Sequence, residues 1–74
     1  MHILVVPDGT EVITKEQFSG QSMDRVFIPK SVEEIQDSAF RDWKNLKEVV
    51  FEAGSALKKI GNYAFCGCTN LKNI

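Results

Sequence analysis

Cysteine, histidine and proline are scarce in this chain of 74 residues, which has two cysteines, one histidine and two prolines. Two cysteines cannot build a disulfide framework. They stand as Cys66-Gly67-Cys68, a separation that rarely reaches relaxed disulfide geometry. The lone histidine, His2, lies near the amino terminus, and a zinc site would need carboxylates or a second chain to complete it. No metal and no cofactor are therefore expected. No apolar run approaches the ~20 residues that cross a bilayer, so no membrane insertion is expected. The opening stretch from Met1 to Pro7 has neither the basic segment nor the long apolar segment of an export signal. Neither sign of charge dominates: nine Lys and Arg stand against ten Asp and Glu, for a net charge of −1. That excludes the basic footprint a nucleic-acid partner requires.

Catalytic groupings are missing too. No glycine-rich loop followed by Lys-Ser or Lys-Thr is present to cradle a phosphate. A Ser-His-Asp arrangement would have to use His2, on the first strand. Asp37 and Asp42 have no base, nucleophile or further acid recurring near them. The chain reads as a non-enzyme, with thiol chemistry at Cys66 and Cys68 as the enzymatic alternative.

What is present is an ordinary globular composition, 43% hydrophobic and 26% charged, which argues against disorder. At 8.3 kDa the chain is read as one domain over residues 1–74, small enough to bury only about 60% of its unfolded surface. It also repeats itself, and internal repeats decide a fold. Phe18, Phe40 and Phe65 align, each with an isoleucine five residues before it: Ile13, Ile35 and Ile60. Met23, Leu46 and Leu71 follow the phenylalanines, and Val26, Val49 and Ile74 come three residues later. Leu4 and Val6 match Val26 and Ile28, and Val49 and Phe51 continue the series. The period is 22 from Val6 to Ile28 and 23 from Ile28 to Phe51. Repeats of about 22–25 residues follow, at approximately 4–25, 26–48 and 49–74. The first has a loop one residue short, between Phe18 and Met23.

Two residues after each phenylalanine come Gly20, Asp42 and Gly67. Glycine and aspartate tolerate a left-handed backbone, so a tight turn is expected at that phase. Asp8-Gly9 and Ala53-Gly54 read as further turns. Val32, Ile35, Ala39, Trp43 and Leu46 fall at helical spacing, as do Leu57, Ile60, Ala64, Cys68 and Leu71. Gly61 and Gly67 would each cost such a helix about 1 kcal/mol relative to alanine, and the first repeat lacks the helical pattern. Short strands are expected instead, with a turn of helix near Ser38–Phe40.

Leu46-x-x-Val49-x-Phe51 resembles the strand signature of leucine-rich repeats, and Met23-x-x-Val26-x-Ile28 and Leu71-x-x-Ile74 fit the same frame. The segments from Ile28 to Phe51 and from Leu57 to Ile74 resemble the BspA-like class of these repeats. That resemblance implies a solenoid, mainly β with short helical or 3-10 turns and about three repeats. It further implies a non-enzymatic protein-binding module, acting in adhesion or in host or matrix binding, at the cell surface or secreted. Cys68 falls on the buried cysteine position of the class, whereas Cys66 does not and should be exposed. Gln17, Gln36, Asp42 and Trp43 depart from the pattern.

In such a solenoid Phe18, Phe40 and Phe65 should stack, with the three isoleucines as a second row. Strand alternation turns Leu4, Val6, Val26, Ile28, Val49 and Phe51 inward. Outward lie one row of Val5, Phe27 and Val50 and a neighbouring row of Ile3, Arg25, Glu48 and Asn73. An exposed apolar row can mark a binding surface, or it can reflect β-propensity on a solvated sheet. Val5, Arg25, Phe27, Glu48, Val50 and Asn73 are the candidate partner-binding residues. Arg25 opposite Glu48 reads first as a cross-strand ion pair. The alternative to a binding module is a structural segment of a longer array, or a protomer that associates end to end.

Overall fold

The repeated rows demand that successive repeats lie one strand apart, and the computed structural model has that arrangement. It describes residues 2–19, 21 and 23–72. Strands β1 (Ile3–Val5), β3 (Arg25–Ile28) and β5 (Glu48–Phe51) form one parallel sheet in that order. A second parallel sheet joins β2 (Val12–Ile13), β4 (Glu34–Ile35) and β6 (Lys59–Ile60). The register pairs Leu4 with Val26 and Val26 with Val49, and runs Ile13 to Ile35 to Ile60 in the second sheet. Each chain pass therefore contributes one strand to each sheet, and the core lies between the sheets.

Val6, Ile13, Val26, Ile28, Val32, Ile35, Phe40 and Leu46 are fully buried. Phe40 stacks on Phe65 with centroids 5.5 Å apart and meets Trp43 edge-on at 4.9 Å. Phe18 packs against this core but is only partly buried. The expected three-ring stack is thus a Phe40–Phe65 pair with Trp43 at its edge. Side chains also tie repeat to repeat. Ser31 Oγ donates to the Thr10 carbonyl at 2.8 Å and accepts the Gly9 N–H at 3.1 Å. Asp37 Oδ1 accepts the Asn62 N–H at 2.7 Å, and Asn70 Nδ2 donates to the Lys44 carbonyl at 2.6 Å.

The expected turn of helix near Ser38–Phe40 does not form. Ser38 sits at φ 61° and Asp42 at φ 64°, and left-handed residues interrupt a right-handed helix. The segment is a run of tight turns, with Ala39, Arg41 and Trp43 donating to the carbonyls three residues back. Tyr63, at φ 60°, repeats the Ser38 conformation, and Gly67, at φ 80°, repeats that of Asp42. The predicted left-handed phase holds at Asp42 and Gly67; Gly20 lies outside the described residues. Turns two and three are zipped together: the N–H groups of Ser38, Phe40 and Asp42 donate to the carbonyls of Asn62, Ala64 and Cys66 at 3.0, 2.8 and 2.7 Å.

One row of the core gives an internal test. Ile13 and Ile35 are 0% exposed, whereas Ile60 is 47% exposed. Ile35→Ala should destabilise by about 2–5 kcal/mol, the usual cost of truncating a buried isoleucine. Ile60→Ala should cost well under half as much. Urea melts of the two variants would check this, and equal losses would show that position 60 is as enclosed as position 35.

Candidate functional site

Strand alternation decides which side chains are free to meet a partner. In the first sheet Val26 and Val49 face the core, while their neighbours in sequence face outward. The parallel register sets Val5 beside Phe27 and Phe27 beside Val50. Val5 is 59% exposed and Val50 37%, with Phe27 half-buried between them. At about 4.8 Å per strand, the three-stranded face is roughly 15 Å across. The neighbouring row pairs Ile3 with Arg25 and Arg25 with Glu48. Arg25 Nε lies 3.3 Å from Glu48 Oε1, with both side chains partly exposed. An ion pair this open to water contributes about 0–1 kcal/mol, and its effect is to set the polar rim beside the apolar row.

Five of the six expected residues thus share this face, Val5, Phe27 and Val50 in one row and Arg25 and Glu48 in the next. Asn73 lies outside the described residues. Ile3 was expected only as the end of the polar row, but it is 51% exposed and extends the apolar surface. Its signal was in the sequence, since it precedes Val5 by two residues on the same side of β1.

The match to known proteins follows this geometry. A family model described as a BspA type leucine rich repeat region (6 copies) matches residues 1–74. The chain belongs to the BspA-type leucine-rich repeats. No curated protein matches it. Among solved structures, it resembles a leucine rich cell surface protein from Faecalibacterium prausnitzii A2-165, with a TM-score of 0.86 and 29% identity. That likeness covers 100% of this chain and 23% of the other. The chain therefore spans about a quarter of the length of the protein it resembles.

The BspA-type frame also explains the two thiols. Cys66 is exposed, while the Cys68 thiol is half-buried and donates to the Phe40 carbonyl at 3.1 Å. Burial raises the pKa of Cys68 above the ordinary thiol value; a backbone hydrogen bond from Trp43 opposes this, and the charges of Asp42 and Cys66 add to it. The thiolate is the reactive form, so Cys68 is poorly suited to nucleophilic work. Among the described residues, no group of three or more His, Cys, Asp and Glu side chains is placed to hold a metal ion.

A timed reaction with a thiol reagent at mildly alkaline pH should therefore show one fast and one slow cysteine. Cys66→Ser should remove the fast phase. The thiolate of Cys68 is disfavoured more by the folded chain than by the unfolded one. Its contribution to stability is thus full below the unfolded thiol pKa and is lost as pH rises through the folded value. Two thiols of equal rate would show that the bond to Phe40 is not kept in solution.

Proposed function

We propose that this chain is a non-enzymatic protein-binding module that meets its partner through the outward face of the first sheet. The single observation that carries the reading is the apolar row Val5–Phe27–Val50, held out of the core by the same alternation that buries Val26 and Val49. A flat apolar stripe beside a polar rim is the usual anatomy of a protein interface. Arg25 and Glu48 supply that rim. The resemblance to a leucine rich cell surface protein supports placement at the cell surface and a role in adhesion or in binding host or matrix proteins.

The test is a double variant, Phe27→Ala with Val50→Ser, applied to an array of immobilised extracellular-matrix proteins. Binding seen with the unaltered chain should disappear, while the urea transition should stay single and cooperative at a lowered midpoint, because both side chains are partly buried. Undiminished binding by the folded double variant would remove this face from the interaction.

A second reading is favoured by the far end of the solenoid. Ile60 is 47% exposed, and Leu57, Phe65 and Leu71 are only partly buried. Their row-mates Val32, Phe40 and Leu46 are 0% exposed. On this reading the chain is a structural segment whose last repeat is covered by a further repeat of a longer array, or by a second copy added end to end. Light scattering across a range of concentrations would separate the two occupants. A mass that grows with concentration supports the second copy. A constant monomer mass with a sharp urea transition would mean that the end needs no cover, which removes the second reading.

A further inference from the structure

Among the described residues, two of the three bonds in the zipper between turns two and three have no counterpart between turns one and two. The third would involve Gly20, outside the described residues. The equivalent bonds would run from the Glu16 and Phe18 N–H groups to the carbonyls of Asp37 and Ala39. Among the described residues neither bond is made, and those two carbonyls accept no hydrogen bond. The reason lies in the first turn. Glu16 does not take the left-handed conformation that Ser38 and Tyr63 share, and the loop after Phe18 is one residue short. The two turns part, leaving two adjoining openings of about 480 and 320 Å³ that share Lys15 and Ser38.

Every side chain around the larger opening is polar. Lys15 and Glu16 form one wall, and Gln36, Asp37 and Ser38 the other. Glu34 and Lys59, from neighbouring strands of the second sheet, also line it. A protein partner needs apolar or aromatic anchors; the larger opening has none, and Ala39 and Trp43 at the smaller one are buried, at 3% and 7% exposure. Three carboxylates stand against two ammonium groups, which disfavours a phosphate or a sulfated ligand. The remaining chemistry is a mixture of donors (Lys15, Lys59, Gln36) and acceptors, the latter including the unused carbonyl of Asp37, with that of Ala39 at the smaller opening. A hydroxyl both donates and accepts, and its bonds to charged side chains are the stronger kind.

We propose that this cleft binds a neutral saccharide, a short stretch of a polyhydroxylated chain lying along the parted turns. The site is separate from the apolar sheet face and does not depend on it. The cleft is open to solvent, so binding by one such site is weak and gains by repetition along a surface.

The test is a titration of the ¹⁵N-labelled full chain with neutral hexasaccharides of glucose, xylose and mannose, read by amide shifts. Shifts confined to residues 15–19 and 34–42 are expected for at least one sugar. Lys15→Met with Gln36→Leu should weaken that binding several-fold without changing the urea midpoint. Phe27→Ala with Val50→Ser should leave it intact, so that failure here and failure of the sheet face are told apart. Four outcomes would overturn the proposal: no shift with any neutral sugar, shifts with heparin alone, shifts with an extended Ser-Gly peptide alone, or shifts centred on the outward sheet face.

Discussion

The parallel ladder between successive passes of the chain is the constraint from which the rest follows. It places like residues about 4.8 Å apart, so the apolar row of each repeat is covered by that of the next. A unit of 22 to 25 residues has no interior of its own. Ile35 is enclosed because Ile13 and Ile60 lie beside it in register. At the last repeat Ile60 is half-exposed, and among the described residues no strand pairs with its outer side; Ile13, on the other edge strand, is fully buried. In this row burial is lost only toward the last repeat, and core substitutions should be judged by repeat as well as by residue type.

The ladder also dictates the turns. Strands one spacing apart force the intervening loops equally close, and only some backbones and side chains fit there. A Cβ on Gly61 would meet Asp37 Oδ1, and one on Gly67 would meet Asp42 Oδ1. Each of these glycines thus leaves room for a carboxylate of the preceding repeat. Asp37 uses that room to accept the Asn62 N–H. Where Glu16 does not take the left-handed conformation of Ser38 and Tyr63, two bonds of the zipper are not made among the described residues, and the surface beside them is a polar cleft. One local backbone choice alters both the cohesion of two repeats and the chemistry they present.

The rows of the core and the left-handed turn at Asp42 and Gly67 were legible because periodicity in an apolar or glycine-like residue is a direct record of the register. The exposure of Cys66 was legible from the family frame, whereas Cys68, on the buried cysteine position of that frame, is only partly buried. The left-handed Ser38 and Tyr63 were not, because neither residue type marks that conformation. Helical spacing at Val32, Ile35 and Ala39 suggested a turn of helix for a related reason. Successive tight turns also bring residues three or four apart to one side, so spacing alone cannot separate them. Phe18 is only partly buried and stands outside the Phe40–Phe65 pair, which alignment of the three phenylalanines did not show. The candidate face was legible as geometry, since alternation says which side is outward. Its ligand was not, because outward residues are the ones packing leaves unconstrained.

That last separation explains why such a fold can carry function at so little cost to stability. Val26 cannot change without disturbing Leu4 and Val49 on either side of it, whereas Phe27 and Val50 stand on the same strands and are partly open to solvent. A scaffold of this kind can hold a protein-binding stripe on one sheet and a hydrophilic cleft along its turns, because neither site draws on the residues that set the register. Function resides in a site rather than in a fold, and in the proposed reading that site is the outward rows. The departures of a repeat from its own pattern, such as the short first loop and Gln17, Gln36 and Asp42, are therefore the first places to look for specificity. Of these, Gln36 and Asp42 line the parted turns, where a change in side chain alters the surface without uncovering the core.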